Sequence, residues 1–306
     1  MEPRVSLLSL LFKFARPWSM LVGALFYTLG ISIVNYLGHS LLWDRLWLGL
    51  GMVLLLQLSS YMLIAHFDLL ECANPLRRAQ KDLSAEEQQA LARIPKQGLL
   101  IFSITTLTTG AVLTVIMFNI GAINLPTLII LGIAFFIAYF YAVPPARLVY
   151  SGYGELAESF LLASLVPAFA FLLQTGELHR FLLILSLPLI AIFLAMRIAL
   201  SLESYTLNLK RNHKTLLIAL GWQRAVSFHN LLIPAAFVLL LLASLLGLPW
   251  ALTWPGLLTV PIGLFQMWQL SQISAGAKPA WRLLRLTASA LVGLTVYLLT
   301  LAFFTV

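Results

Sequence analysis

The sequence predicts an all-α integral membrane protein with nine transmembrane helices. Three observations predict it. Hydrophobic residues make up 61% of the 306 residues and charged residues only 10%, against about 25% charged in soluble domains. Nine continuously apolar stretches approach the roughly 20 residues a helix needs to cross a bilayer. The basic residues then divide between alternating connections, as they do in multi-pass proteins.

The nine stretches cover residues 17–37, 46–65, 98–118, 125–141, 156–173, 181–200, 225–246, 251–270 and 286–304. Each is apolar throughout, with no alternation of period two, so each reads as a helix and not as a barrel strand. The fourth is the shortest, and either tilts little or begins before Pro126. Residues 1–306 therefore form a single transmembrane domain.

The N-terminus and the connections after spans two, four, six and eight carry all 19 lysines and arginines except Arg45 and Arg180, counting Arg197 near the end of span six. The excess of basic residues places the N-terminus in the cytoplasm and the C-terminus outside. No cleavable signal peptide is expected: the apolar run after Arg4, Lys13 and Arg16 is too long for one. The net charge of +8 is assigned to loops that meet anionic lipid, not to nucleic acid. Cys72 is the only cysteine, which excludes an intrachain disulfide. The expected location is a multi-pass position in a membrane of the bacterial inner, or cytoplasmic, type.

Two connections on the basic side are long, residues 66–97 and 201–224, and they lie four spans apart. That spacing suggests two four-helix repeats and a ninth helix. In the first, Ser84 and Glu87 form a capping box for a short helix that Pro95 stops, with Asp82 and Glu86 solvated at its start. In the second, Lys214-Thr215-Leu216 leads to Leu220 and a capping Gly221. The outer connections are short and nearly uncharged. Charged chemistry is therefore expected at the ends of spans two and six.

Only eleven carboxylates are available. Asp68 and Glu71 lie three residues apart, on one face of a helix. They could hold part of a Mg²⁺ shell, with substrate phosphates completing it. Arg77 and Arg78 could take phosphate oxygens. The same four residues also suit a membrane interface where acids and bases pair, and spacing alone favours that plainer reading. At the end of span six, Arg197 is costly in an apolar helix unless it snorkels or faces a polar cavity. Ser204 and Asn208 share a face and offer neutral oxygens, poor substitutes for carboxylates around Mg²⁺. Lys210, Arg211 and Lys214 suit phosphate or anionic lipid equally.

Several stretches together resemble the UbiA superfamily of intramembrane aromatic prenyltransferases. These are Arg16-Pro17-Trp18-Ser19, then Tyr141-Ala142-Val143-Pro144-Pro145-Ala146-Arg147-Leu148 with Gly152-Tyr153-Gly154-Glu155-Leu156, and Lys214-Thr215-Leu216 through Leu220-Gly221. The nine spans and the two long connections match as well, and among relatives the menaquinone-branch naphthoate prenyltransferases look nearest. The resemblance implies a nine-helix bundle that moves a prenyl group from a polyprenyl diphosphate to an aromatic, quinone-type acceptor. It implies Mg²⁺ held by two aspartate-rich motifs, at the ends of spans two and six.

The chain departs from that pattern at those motifs. The first keeps Asp68, with Glu71 or Asn74 as partial replacements. The second becomes Ser204-Tyr205-Thr206-Leu207-Asn208, without an acid. Of the eleven carboxylates, Asp68, Glu71 and Glu203 alone are expected where the resemblance needs them. Two readings follow. In the first, Asp68 and Glu71 are catalytic residues holding one Mg²⁺, while Arg77, Arg78, Arg197, Ser204, Asn208, Lys210 and Lys214 bind the diphosphate substrate. In the second, the scaffold is non-catalytic and holds an isoprenoid, quinone or pigment, alone or as a subunit of a membrane complex. A transporter is less well supported, because the charged positions gather at one face and no span is expected to carry a buried acid.

Overall fold

The computed structural model describes residues 14–73 and 96–306, except for the side chains of 71–73 and 96. The long apolar runs become helices because a chain inside lipid must satisfy its own backbone hydrogen bonds. In order they are α1 (Pro17–Tyr36), α2 (Trp43–Ala73), α3 (Lys96–Asn119), α4 (Leu125–Ala142), α5 (Gly154–Phe160), α6 (Val166–Thr175), α7 (Arg180–Glu203), α8 (Tyr205–Lys210), α9 (Leu216–Leu220), α10 (Trp222–Leu245), α11 (Trp250–Leu257), α12 (Val260–Ser274) and α13 (Trp281–Thr305). A 3₁₀ turn covers Leu148–Tyr150, and a π turn, Leu161–Leu165, joins α5 to α6 as one continuous rod. The expected short helix around Ser84 and Glu87 lies outside the described residues.

Among the described residues eight stretches of helix are long and apolar enough to cross a membrane, counting Gly154–Thr175 as one. The span expected at 251–270 differs, because it is divided into α11 and α12. The physical reason is local. Pro255 sits inside α11 and Pro261 in the first turn of α12, and each proline lacks a backbone donor. Thr259 satisfies part of the break by donating to the Gly256 carbonyl at 2.7 Å and sharing a 2.7 Å bond with Thr295. The two pieces together still run from one end of the bundle to the other. Gly247, just before α11, lies against Arg180 at the start of α7. Ser271, near the end of α12, bonds Asn230 in the first turns of α10.

The helices close into a ring. α1 packs on α2, α6 and α13; α2 also packs on α3 and α4; α7 packs on α5, α10 and α13; and α10 to α13 complete the circle. α6 and α7 lie innermost, and most of the large core cluster sits between them and α1, α10 and α13. Close approach of α1 to α6 depends on Gly30: a side chain there would come within 2.3 Å of the Pro167 carbonyl oxygen. By contrast α3 is mostly exposed, with Ile101, Phe102, Ile104, Val115 and Phe118 facing outward. That apolar outer face suits lipid.

Candidate functional site

The site begins where α2, the turn after α4 and the start of α5 meet. Tyr141 ends α4 and points to Glu158 on α5, donating to its Oε2 at 2.9 Å. Arg197 of α7 reaches the same oxygen at 3.0 Å. Glu158 and its neighbour Glu155 are both 5% exposed. Glu155 accepts the backbone N–H of Leu216 at 3.1 Å and so ties α5 to the start of α9. The expectation that no span carries a buried acid is therefore wrong. Glu155 and Glu158 thus add two buried acids beside the three that the sequence singled out, Asp68, Glu71 and Glu203. Glu203 instead pairs with Arg285 at 3.1 Å, on the outside of the bundle.

Within the apolar helix layer Glu158 and Arg197 form an ion pair. A buried carboxylate beside a guanidinium offsets the cost of removing both from water, and a phenol adds a third hydrogen bond. Arg197 thus neither snorkels nor stands alone.

Glu158 and Tyr141 lie at one end of a cleft of about 50 Å³, lined by Gln57, Tyr61, Leu131, Leu162, Val166 and Phe169 among others. A second space of about 300 Å³, between α2, α3 and α4, shares Met52, Leu56 and Leu131 with it. The two spaces adjoin across these three side chains, one beside Glu158 and the other facing α3. The second space is at the lower edge of the range that takes small ligands. The π turn supplies part of the cleft's wall through Leu161, Leu162 and Leu165.

Closer to the end of α2 lies Asp68. Its Oδ1 accepts from Arg147 at 2.5 Å and its Oδ2 from the Tyr150 hydroxyl at 3.0 Å. Arg147 adopts a left-handed backbone with φ 37° just before the 3₁₀ turn, a conformation that costs a non-glycine residue roughly 1–2 kcal/mol. The Asp68 contacts hold it there, and its guanidinium also lies over the Tyr150 ring at 4.8 Å. Burial and then the Asp68 carboxylate push the Tyr150 phenol well above its ordinary pKa, so it remains a donor. The ring of His213 stacks on Tyr150 at 3.6 Å. This stack brings the 210–214 segment beside Asp68, and a backbone bridge pairs Ser151 with Lys214.

The structure thus gathers some expected residues and separates others. Asp68 is in the site. Ser204 and Asn208 bond each other, with the Asn208 amide donating at 3.0 Å. Lys210 and Lys214 are exposed at the same end. Arg197 faces Glu158. The Glu71 side chain, Arg77 and Arg78 lie outside the described residues. Missed by the sequence reading were two groups, Glu158 with Tyr141, and Arg147 with Tyr150 around Asp68.

No protein-family model matches the chain, and no curated protein matches it in sequence. Solved structures do match in fold. A UbiA homologue from Archaeoglobus fulgidus bound to GPP and Mg²⁺ superposes with a TM-score of 0.71 at 16% identity, covering 97% of this chain and 99% of that one. A UbiA homologue from Aeropyrum pernix K1 gives 0.62 at 14% identity, over 89% and 96%. A digeranylgeranylglyceryl phosphate synthase gives 0.60 at 17% identity, over 94% and 91%. The chain has the fold of UbiA-type prenyltransferases.

That fold implies Mg²⁺, and the donors here are a poor match for it. Both oxygens of Asp68 are taken by Arg147 and Tyr150. Ser204 and Asn208 are neutral and bonded to each other. Among the described residues no group of three or more His, Cys, Asp or Glu could hold a metal ion. Mg²⁺ dehydrates reluctantly and binds through carboxylates and phosphates. The described residues do not fit a two-Mg²⁺ site.

Proposed function

We propose that this protein uses the prenyltransferase fold to hold an isoprenoid-tailed lipid in the membrane, without metal-assisted departure of a diphosphate. One contrast supports the reading. Two adjoining apolar spaces, one beside Glu158 and one between α2, α3 and α4, are available to an isoprenoid tail. The acidic half of a prenyl site is replaced by an Asp68 committed to Arg147 and Tyr150 and by the Ser204–Asn208 pair. The tail gains by leaving water for an apolar wall, at about 25 cal/mol per Å² buried. Arg147 supplies Asp68 with the positive charge that a metal ion would otherwise bring. Such a holder suits a quinone, pigment or prenyl lipid, whether the protein works alone or within a membrane complex.

The test combines two measurements on the purified protein. Organic extraction and mass spectrometry should recover an isoprenoid lipid at near one per chain. Incubation with Mg²⁺, labelled prenyl diphosphates and a panel of quinone-type acceptors should yield no product while an active UbiA homologue does. Mg²⁺-dependent product that disappears in Asp68→Asn would overturn the reading. It would establish the second one, a divergent prenyltransferase, which the retained Asp68 and the exposed Lys210 and Lys214 favour.

A further inference from the structure

α3 and α4 follow each other in the chain, yet both pack on α2 and have little contact with each other. The space of about 300 Å³ lies in the gap between them. Thr106, Gly110 and Thr114 stand on one wall, Gly132 and Phe135 on the other, and Met52 of α2 at the base. A side chain added at Gly110 or at Gly132 would meet nothing within 4 Å, so the gap is open at both glycines. Among the eight apolar stretches, α3 and α4 have the smallest buried shares, 17% and 28%. The gap therefore faces lipid and not another helix. The seam between α1 and α13 is closed by contrast, with Tyr36 edge-on to Phe303 at 5.5 Å.

Such a gap can be filled by bilayer hydrocarbon or by a helix of another chain. One turn of helix, about 10 Å across, takes up roughly 400 Å³, more than the whole gap. A single hydrocarbon chain is thin enough. The two hydroxyls on the wall are satisfied within α3, Thr106 donating to the Ser103 carbonyl at 2.8 Å and Thr114 to the Gly110 carbonyl at 2.9 Å. An apolar occupant therefore leaves neither of them without a partner. Met52, Leu56 and Leu131 line both the gap and the cleft beside Glu158. The partition between the two spaces is thus made of side chains that can change rotamer without breaking a hydrogen bond.

We infer that an isoprenoid tail enters sideways from the bilayer through the gap between α3 and α4, with Met52, Leu56 and Leu131 as the gate to the cleft beside Glu158. The inference rests on the proposed role as an isoprenoid holder and adds the route by which the ligand arrives. The tail passes along Gly110 and Gly132, where the walls leave room for it.

The full chain in lipid nanodiscs is photolabelled with geranylgeraniol carrying a diazirine on its tail, with and without excess plain geranylgeraniol, and the labelled residues are mapped by mass spectrometry. Label that the competitor removes is expected on Thr106, Leu131 and Phe135. Exchange of bound deuterated geranylgeraniol for the unlabelled alcohol is then followed by native mass spectrometry. Gly110→Trp and Gly132→Trp, which fill the gap, should each slow exchange about tenfold. Leu131→Ala, which thins the gate, should speed it. Gly293→Trp, at an equally open glycine of α13, should leave it unchanged. Thermal unfolding identifies any variant that fails to fold, and the competed label on the parent chain then decides alone. Competed label along α1 and α13 instead, or unchanged exchange in folded Gly110→Trp, Gly132→Trp and Leu131→Ala, overturns the route and leaves the isoprenoid holder standing. Absence of competed label anywhere on the chain removes both.

Discussion

Glu158 and Arg197 cannot be changed singly without leaving a charge buried beside an apolar cleft. Glu158→Leu should destabilise the fold by about 3 kcal/mol. Adding Arg197→Met should recover most of that loss, because both charges then leave together. Thermal unfolding in detergent of the two single variants and the double variant measures it, and strictly additive losses would refute the pairing. A second residue gives a pH effect. His179 accepts the Phe181 N–H at 3.3 Å through Nδ1 and so caps α7. Burial, then the nearby Arg180 and His39, lower its pKa. The unfolded chain therefore binds the proton more readily, and stability falls as pH drops below about 6.5. A melting temperature that declines between pH 7.5 and pH 5, with a shallower decline in His179→Asn, is expected; identical profiles would exclude the effect. Asp68 was legible from the sequence as a residue of interest, but its partner was not, since Arg147 is 79 positions away. Glu158 was hidden by its place near the start of a span, where an acid reads as interfacial. The available clue was Arg197: an intramembrane cation demands an anion, and few carboxylates lie within a span.

At the scale of elements, Glu155 joins α5 to α9 across 61 residues of chain. Thr215 caps α9 by accepting the Ile218 N–H, and Gly221 ends it with φ 79°. That short helix follows the segment whose His213 stacks on Tyr150. Glu155→Ala should cost about 1–3 kcal/mol by leaving the Leu216 N–H unmet. It should also speed amide exchange across residues 212–218, as followed by hydrogen exchange with mass spectrometry. Unchanged exchange there would show that the tie is dispensable. The cap residues of α9 and the positions of the long helices were readable, because apolar length and cap chemistry are local properties. The division of the span at 251–270 was signalled by Pro255, Gly256 and Pro261, although continuous apolarity masked it. The π turn carried no such signal: Leu161–Leu165 is apolar whether wound as α or π.

For the whole molecule, the contacts agree with an alternating path. Arg285 meets Glu203 at one end, while Arg180 lies against Gly247 at the other. Which end faces the cytoplasm follows from the bias of basic residues toward one of them. Alkaline phosphatase joined after Val306 should therefore be active, and a fluorescent protein placed there should stay dark when exported through the general secretory route; the reverse pattern would invert the topology. The bundle was legible because lipid permits so few backbone solutions. The two adjoining cavities were not, because they arise from four separate segments that only folding brings together.

The π turn has one last consequence, for how this protein can change over time. Glu158 precedes it and Val166 and Phe169 follow it, yet all three face one cleft. Deleting a single residue between them would rotate one half of the rod against the other by about 100°. Either the carboxylate or the aromatic wall would then turn away. Span five is thus locked in length as well as in composition: point substitutions can drift there, but insertions and deletions cannot.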